Sequence, residues 1–317
     1  MKKIIITLSL LILLIVIAGI SNAYLFVPSL KREGEVVAYR AGGGSVNYSK
    51  LNETGCTAKS LLESEVGTVE NTLEAASTSV QAGTDVLHLN VHRTLDDQLV
   101  VFHDWTLDCA TNASGQINKT LFRDIQKVDA GFGYTFDDGA TFPFRGLGFR
   151  ISKLDEFVSR FPEYEFWLNL KDNDEHSFDV LYRYLASKPF THAQDVLVIT
   201  SSKGINWFRK ADSLIPVVSV DGVRSCGVDY LLLGWAGIVP ESCKNTTLLI
   251  PPSKAKYFWG YPKRLAARLQ EHGTEVYLWS KHKPVDERFA NVVAEGVGVV
   301  TSDNGFMSKV KANKSVN

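Results

Sequence analysis

From Val36 onward the chain alternates short β-like runs with stretches of helical spacing, and this alternation constrains the fold more than any other feature. Residues 36–40, 86–92, 99–103, 165–171, 196–201, 216–220, 246–250, 275–280 and 297–301 read as strands. Between the first two, residues 71–82 put Leu73, Ala76 and Val80 on one helical face, with Gly83 suited to a C-terminal cap. Thr120 is placed to cap a helix through Val128, residues 154–161 and 177–187 read as helices, and Pro262 opens a helix that Gly273 closes. Repeated β-then-α predicts a parallel sheet. A closed barrel of this kind takes about 250 residues, a length that residues 36–310 supply. An open doubly wound sheet is the alternative, but no Gly-x-Gly-x-x-Gly turn follows the first strand. Residues 48–66 and 129–150 read as long loops, the second with aromatics at Phe132, Tyr134 and Phe136 that either cover a mouth or stay solvated.

Ahead of this region, Lys2 and Lys3 precede an apolar run that continues with little interruption through Val27. A helix of about 20 apolar residues crosses the hydrocarbon. Residues 1–27 therefore read as a signal anchor rather than a cleaved signal peptide, although Ser21-Asn22-Ala23 would suit cleavage. In either case the two lysines stay inside and the rest is exported. Residues 28–35 read as a polar linker and 311–317 as a polar tail. Export admits disulfides, and the preferred pairs are Cys56–Cys109 and Cys226–Cys243, because each ties neighbouring loops; four buried free thiols is the plainer alternative. Sequons begin at Asn47, Asn52, Asn112, Asn118, Asn245 and Asn313. With Lys+Arg at 34, Asp+Glu at 35 and a net charge of −1, no basic excess exists to hold a nucleic acid.

Active groups of a parallel barrel sit at the C-terminal ends of its strands. Those ends carry Tyr39 and Arg40, then His88, Asn90 and His92, then His103 and Asp104, then Asn169 and Lys171. Alternation puts His88, Asn90 and His92 on one face of their strand. Arg40 and Lys171 suit an anionic oxygen pair, and His103 suits proton transfer. His88, Asn90 and His92 are also candidates for a borderline metal such as zinc.

The segments Tyr39-Arg40-Ala41-Gly42-Gly43, Glu70-Asn71-Thr72-Leu73, His88-Leu89-Asn90-Val91, Val100-Val101-Phe102-His103-Asp104 and Asn169-Leu170-Lys171, in this order, resemble the glycerophosphodiester phosphodiesterase family. The resemblance runs over 36–305, and 104–109 with 243–247 look like an exported, N-terminally anchored bacterial branch. It implies a single TIM-type (β/α)8 barrel after one N-terminal hydrophobic helix. It implies hydrolysis of glycerophosphodiesters to an alcohol and sn-glycerol 3-phosphate. It also implies a calcium or magnesium ion, phosphate binding by Arg40 and Lys171, proton transfer by His103, and a pocket wall at Trp279. The metal positions implied are Glu70, His88, Asn90 and Asn169.

At several of these positions the sequence departs from the family. The family's first histidine is Tyr39, and the following glycine is Ala41. Its Glu-x-Asp ligand pair is His88 and Asn90, and its Glu-x-Lys is Asn169 and Lys171. Hard cations prefer carboxylate oxygens, so two anions are missing from a site that faces two cations, and no bound cation at all is one expectation. A phenol is a poor general base near neutrality. Three readings follow: an exported phosphodiesterase; a barrel that grips a phosphodiester or lipid head group without cutting it; and a structural partner of an envelope protein.

Overall fold

The structure, a computed structural model, describes residues 2–44, 46–47, 56–62, 67–188, 195–211, 214–279, 285 and 287–314. Most of the expected loop 48–66 and the sequon at Asn52 lie outside these residues. The strands are β1 Val36–Ala38, β2 Val86–Arg93, β3 Leu99–Val101, β4 Glu165–Leu170, β5 Val196–Ile199, β6 Val217–Val218, β7 Thr247–Ile250, β8 Glu275–Leu278 and β9 Val297–Thr301. The helices are α1 Lys2–Leu25, α2 Leu73–Ala82, α3 Phe122–Ile125, α4 Leu154–Arg160, α5 Glu175–Ala186, α6 Ser202–Lys210, α7 Val220–Leu233, α8 Pro252–Ala255, α9 Lys263–Glu271 and α10 Asn304–Lys314. With β3 set aside, eight strands alternate with helices, which is the connectivity of a (β/α)8 barrel. The chain divides into two compact units. One holds Val36–Val220, Ser280–Ala290 and Val300–Asn317; the other holds Met1–Glu35, Asp221–Trp279 and Asn291–Val299.

In the larger unit, β1, β2, β4, β5 and β6 are parallel, in the spatial order β6-β5-β4-β2-β1, while β3 folds back antiparallel on β2. A parallel sheet covered on both faces buries both sides of its central strand. On β2 one face is apolar, with Leu87, Leu89 and Val91 fully buried, whereas the other buries His88, Asn90 and His92. Buried polar groups need partners, and the partners of this face form the site described below. The α2 helix begins where Thr72 accepts from the Ala75 N–H at 3.2 Å and ends at Gly83, which is left-handed at φ +99°.

In the smaller unit, β7, β8 and the first part of β9 are parallel. The α9 helix buries Leu265, Ala266 and Leu269. Residues 28–35, expected as a linker, are tied down: Gly34 N–H donates to Val293 O at 2.7 Å, and Lys31 N–H donates to Gln270 Oε1 at 3.1 Å. Both expected disulfides form, Cys56–Cys109 in the larger unit and Cys226–Cys243 in the smaller.

Other expectations need correction. Thr120 caps no helix; α3 starts two residues later without a side-chain cap. Residues 39–41 leave the strand and form a single 3-10 turn. Residues 311–314 belong to α10, where Lys314 reaches Asp85 at 3.0 Å, so the helix outlasts the supposed start of the tail. In the loop 129–150 the stretch 132–136 is packed rather than solvated, while 137–141 and 145–148 are exposed. Tyr134 is 2% exposed, and Phe144 packs edge-on against Tyr134, Phe136 and Phe149 in a satellite core with Cys56 and Ile117.

Candidate active site

The chain leaves β1 through a strained turn. Arg40 sits at φ 56° and Ala41 at φ 61°, both left-handed. Gly43 follows at φ +88°, and a Cβ there would lie 2.2 Å from the Glu70 nitrogen, so only glycine lets the turn press against 69–70. This turn drives the Arg40 side chain inward, where it is 3% exposed.

Its Nη1 donates to Glu70 Oε2 at 2.8 Å, and the Thr57 hydroxyl donates to Glu70 Oε1 at 2.6 Å. The phenol of Tyr134 also bonds Thr57, and burial, with Glu70 and Asp104 nearby, holds that phenol protonated. The Arg40 N–H donates to His88 Nδ1 at 3.1 Å. Burial, and then the charges of Arg40 and Lys171, pushes His88 down to about 3, so its imidazole is neutral. The Tyr39 ring lies 4.8 Å from the His88 ring. Asn71, itself left-handed, forms a reciprocal amide pair with Asn90: its Nδ2 donates to Asn90 Oδ1 at 3.3 Å, and the Asn90 N–H donates to Asn71 Oδ1 at 3.0 Å.

His103 Nδ1 and Asp104 Oδ1 are 2.8 Å apart. Burial, then Arg40 and Lys171, depresses His103 far below the usual imidazole range. Burial, then Glu70, pushes Asp104 up to about 7. The two therefore share one proton near neutrality and titrate as a pair. Lys171 is lowered to about 8 by burial, then by Arg40. Its ammonium lies 5.8 Å from the Trp105 ring centre. The structure thus brings Arg40, Glu70, His88, His103 and Lys171 into one electrostatic neighbourhood, with Tyr39 and Asn90 against them. Asn169 is paired in register with Asn90 across β4 and β2 and is half-buried. Trp279 belongs to the smaller unit, where its N–H donates to Ile250 O.

His92 does not join His88 in a zinc site. Four residues along a strand span about 13 Å, and His92 instead faces Asp172 at 3.5 Å and Trp105 edge-on. Sequence reasoning missed Thr57, Asn71, Trp105 and Tyr134. Asn71 and Trp105 lie in family-like segments and Tyr134 among the aromatics of the 129–150 loop; Thr57 carries no signal.

The glycerophosphoryl diester phosphodiesterase family profile matches residues 49–215. The chain belongs to this family. A glycerophosphodiester phosphodiesterase of Caldanaerobacter subterraneus is 24% identical over 74% of this chain and 88% of its own length. Human lysophospholipase D GDPD3 is 22% identical over 74% of this chain and 78% of its own. Among solved structures, the glycerophosphoryl diester phosphodiesterase domain from Mycobacterium tuberculosis superposes with a TM-score of 0.59 at 17% identity, covering 90% of this chain and 100% of that one. An Oleispira antarctica phosphodiesterase solved with sn-glycerol-3-phosphate gives 0.53 at 18% identity, covering 92% and 99%. The fold is that family's TIM barrel.

Members of the family generally depend on a metal ion. The residues here fit a hard divalent cation poorly. Both Glu70 oxygens are held by Arg40 and Thr57. The His88 Nδ1 lone pair is taken by the Arg40 N–H, and Asn90 Oδ1 by Asn71. Asp104 Oδ2 is the one buried carboxylate oxygen with no partner among the described residues, and one oxygen is not a cage. Cys56, Asp104 and Cys109 bring donor atoms within 4.8 Å of one another. The two cysteines are joined as a disulfide, however, and a metal ligand must be a thiolate.

Proposed function

We propose that the protein is an exported phosphoric diester hydrolase acting on glycerophosphodiesters, held to the membrane by α1 and working without a tightly held calcium or magnesium ion. The observation that carries this reading is the His103–Asp104 pair, which shares a proton beside the buried cations Arg40 and Lys171. Arg40 and Lys171 hold the two unesterified phosphate oxygens. Water attacks phosphorus, and the bond to the leaving alcohol breaks. His103 passes the proton on its outer nitrogen to the departing oxygen, and the Asp104 proton moves to Nδ1. The attacking water gives its proton to solvent, because Tyr39 stands where the family has a histidine to take it, so turnover is slow.

Both titrations point the same way. The His103–Asp104 pair keeps its proton below about pH 7 and loses it above. Lys171 loses its charge above about pH 8. Release of sn-glycerol 3-phosphate by the purified full chain is expected to fall as pH rises through this window and to be unchanged by a chelator. Turnover that a chelator abolishes overturns the metal-free mechanism. The tying of His88 and Asn90 into protein hydrogen bonds favours a second reading, a barrel that binds the phosphodiester without cutting it. Binding of sn-glycerol 3-phosphate with no turnover at any pH selects it, and failure to bind leaves the structural partner of an envelope protein.

A further inference from the structure

The smaller unit exposes apolar and aromatic side chains that the phosphodiesterase chemistry does not use. Ile4–Leu25 is long and apolar enough to cross a membrane. At about 1.5 Å per residue it spans about 33 Å, against a hydrocarbon thickness of about 30 Å. Its last turns are bolted to the chain at 234–237. Asn22 Nδ2 donates to Ala236 O at 2.7 Å, Arg268 Nη2 to Asn22 O at 2.5 Å, and Arg268 Nη1 to Gly237 O at 2.9 Å. Gly19 is needed for this seat, since a Cβ there would lie 2.7 Å from the Trp235 ring.

Beside this junction is a cavity of about 550 Å³ lined by Ile20, Tyr24, Trp235, Trp259, Arg264 and Arg268. It shares no residue with the site described above. Arg264 lies over the Tyr24 ring at 4.2 Å. Among the described residues neither Arg264 nor Arg268 has a carboxylate within 4 Å; Arg268 is engaged by the carbonyls of Asn22 and Gly237, which leaves Arg264 as the cation open to a ligand. The same unit exposes Leu231, Leu232, Leu233, Ile238, Tyr257 and Trp259. A free aqueous surface rarely presents such a set. Tryptophan, tyrosine and arginine at the end of an apolar span are the residues that favour the head-group level of a bilayer.

We propose that this surface rests on the bilayer and that the cavity takes the phosphate head group of an anionic phospholipid, with Arg264 on the phosphate and an acyl chain along α1. The site rests on the reading that α1 stays in the membrane, because continuity with the span is what puts lipid, rather than another protein, against it. The lining suits a phosphodiester bearing a hydrocarbon tail, since it combines apolar and aromatic side chains with a guanidinium stacked on Tyr24.

The test uses the full chain in a neutral detergent. It is titrated with dihexanoyl phosphatidylglycerol, with phosphatidylcholine of the same chain length and with inorganic phosphate, and read by intrinsic fluorescence. Saturable binding is expected for phosphatidylglycerol, weaker binding for phosphatidylcholine, and none for inorganic phosphate at the same concentration. Arg264→Gln removes a cation that makes no backbone bond, so the fold is expected to stay intact, with affinity for phosphatidylglycerol falling about tenfold or more. Trp259→Leu is expected to weaken both lipids alike. Equal binding of the two lipids, binding of inorganic phosphate, or an unaffected Arg264→Gln variant would overturn the site. A concentration-dependent dimer that masks the face would overturn it in favour of a second copy of the chain. Carbonate extraction separates the two levels. Release of a soluble chain that begins at Tyr24 sinks the membrane reading itself, whereas a retained chain without lipid preference sinks only the lipid site.

Discussion

On the β1 side of the barrel mouth, Arg40 is fixed from three directions: its backbone by the left-handed turn, its guanidinium by Glu70, and Glu70 in turn by Thr57. On the β2 side, His88 and Asn90 are also buried and bonded, but each spends its hydrogen-bonding capacity on the protein rather than on a ligand. On the first side a buried cation is held in place by its ion pair. The second has the hydrogen bonds of a core. Burial alone therefore does not make a ligand site: on the β2 side a neighbouring amide and a backbone N–H take up the polar atoms of Asn90 and His88.

The strongest way to break the comparison is to put the carboxylates back. The triple change Tyr39→His, His88→Glu and Asn90→Asp restores the family's groups together. It is expected to raise metal-dependent turnover by about 10²–10⁴-fold, the worth of a general acid or base, with single changes giving much less because such groups act as a unit. Robust chelator-sensitive turnover by the unmodified chain would show instead that the present β2 face already holds the ion.

A smaller effect tests the β1 side. Glu70→Ala leaves Arg40 buried without its ion-pair partner. Breaking such a pair costs about 3–5 kcal/mol, to be read as a lowered midpoint in denaturant with an unchanged slope. A loss below about 1 kcal/mol would mean that Arg40 swings to water, and the picture of a fixed anion grip would fail.

Much of this was legible in the residues. The α2 helix with its glycine cap and the gathering of Arg40, His103 and Lys171 follow from spacing and strand ends, whereas the disulfide pairs rest only on a preference for bridges between neighbouring loops. The α7 helix did not, because Gly222 and Gly227 interrupt its pattern and its place is held by tertiary packing, with Cys226 bridged to Cys243 and Tyr230 stacked on Phe258. Thr57 was invisible as a site residue, since nothing local marks a hydroxyl that will meet Glu70 from a distant loop, and Tyr134 was marked only as an aromatic of a long loop. Nor does any spacing rule show that His88 and Asn90 would be tied to neighbours rather than turned toward a ligand.

The smallest prediction decides whether the strained turn, rather than the donor set, limits the site. Ala41 occupies a left-handed conformation at φ 61° where the family has glycine. For an L residue this costs about 1–2 kcal/mol. Ala41→Gly relieves that cost. It also loosens the unfolded chain by about 0.5–1 kcal/mol and removes a fully buried methyl worth about 0.8 kcal/mol. The terms nearly cancel, so the melting temperature is expected to move by less than about 4 °C. Turnover and sn-glycerol 3-phosphate binding are expected to stay put, because Glu70 and the Arg40–His88 backbone bond position the grip, and the methyl does not reach it. A large gain in turnover from Ala41→Gly alone would move the cause of slow chemistry from the β2 face to the β1 turn and reverse the comparison.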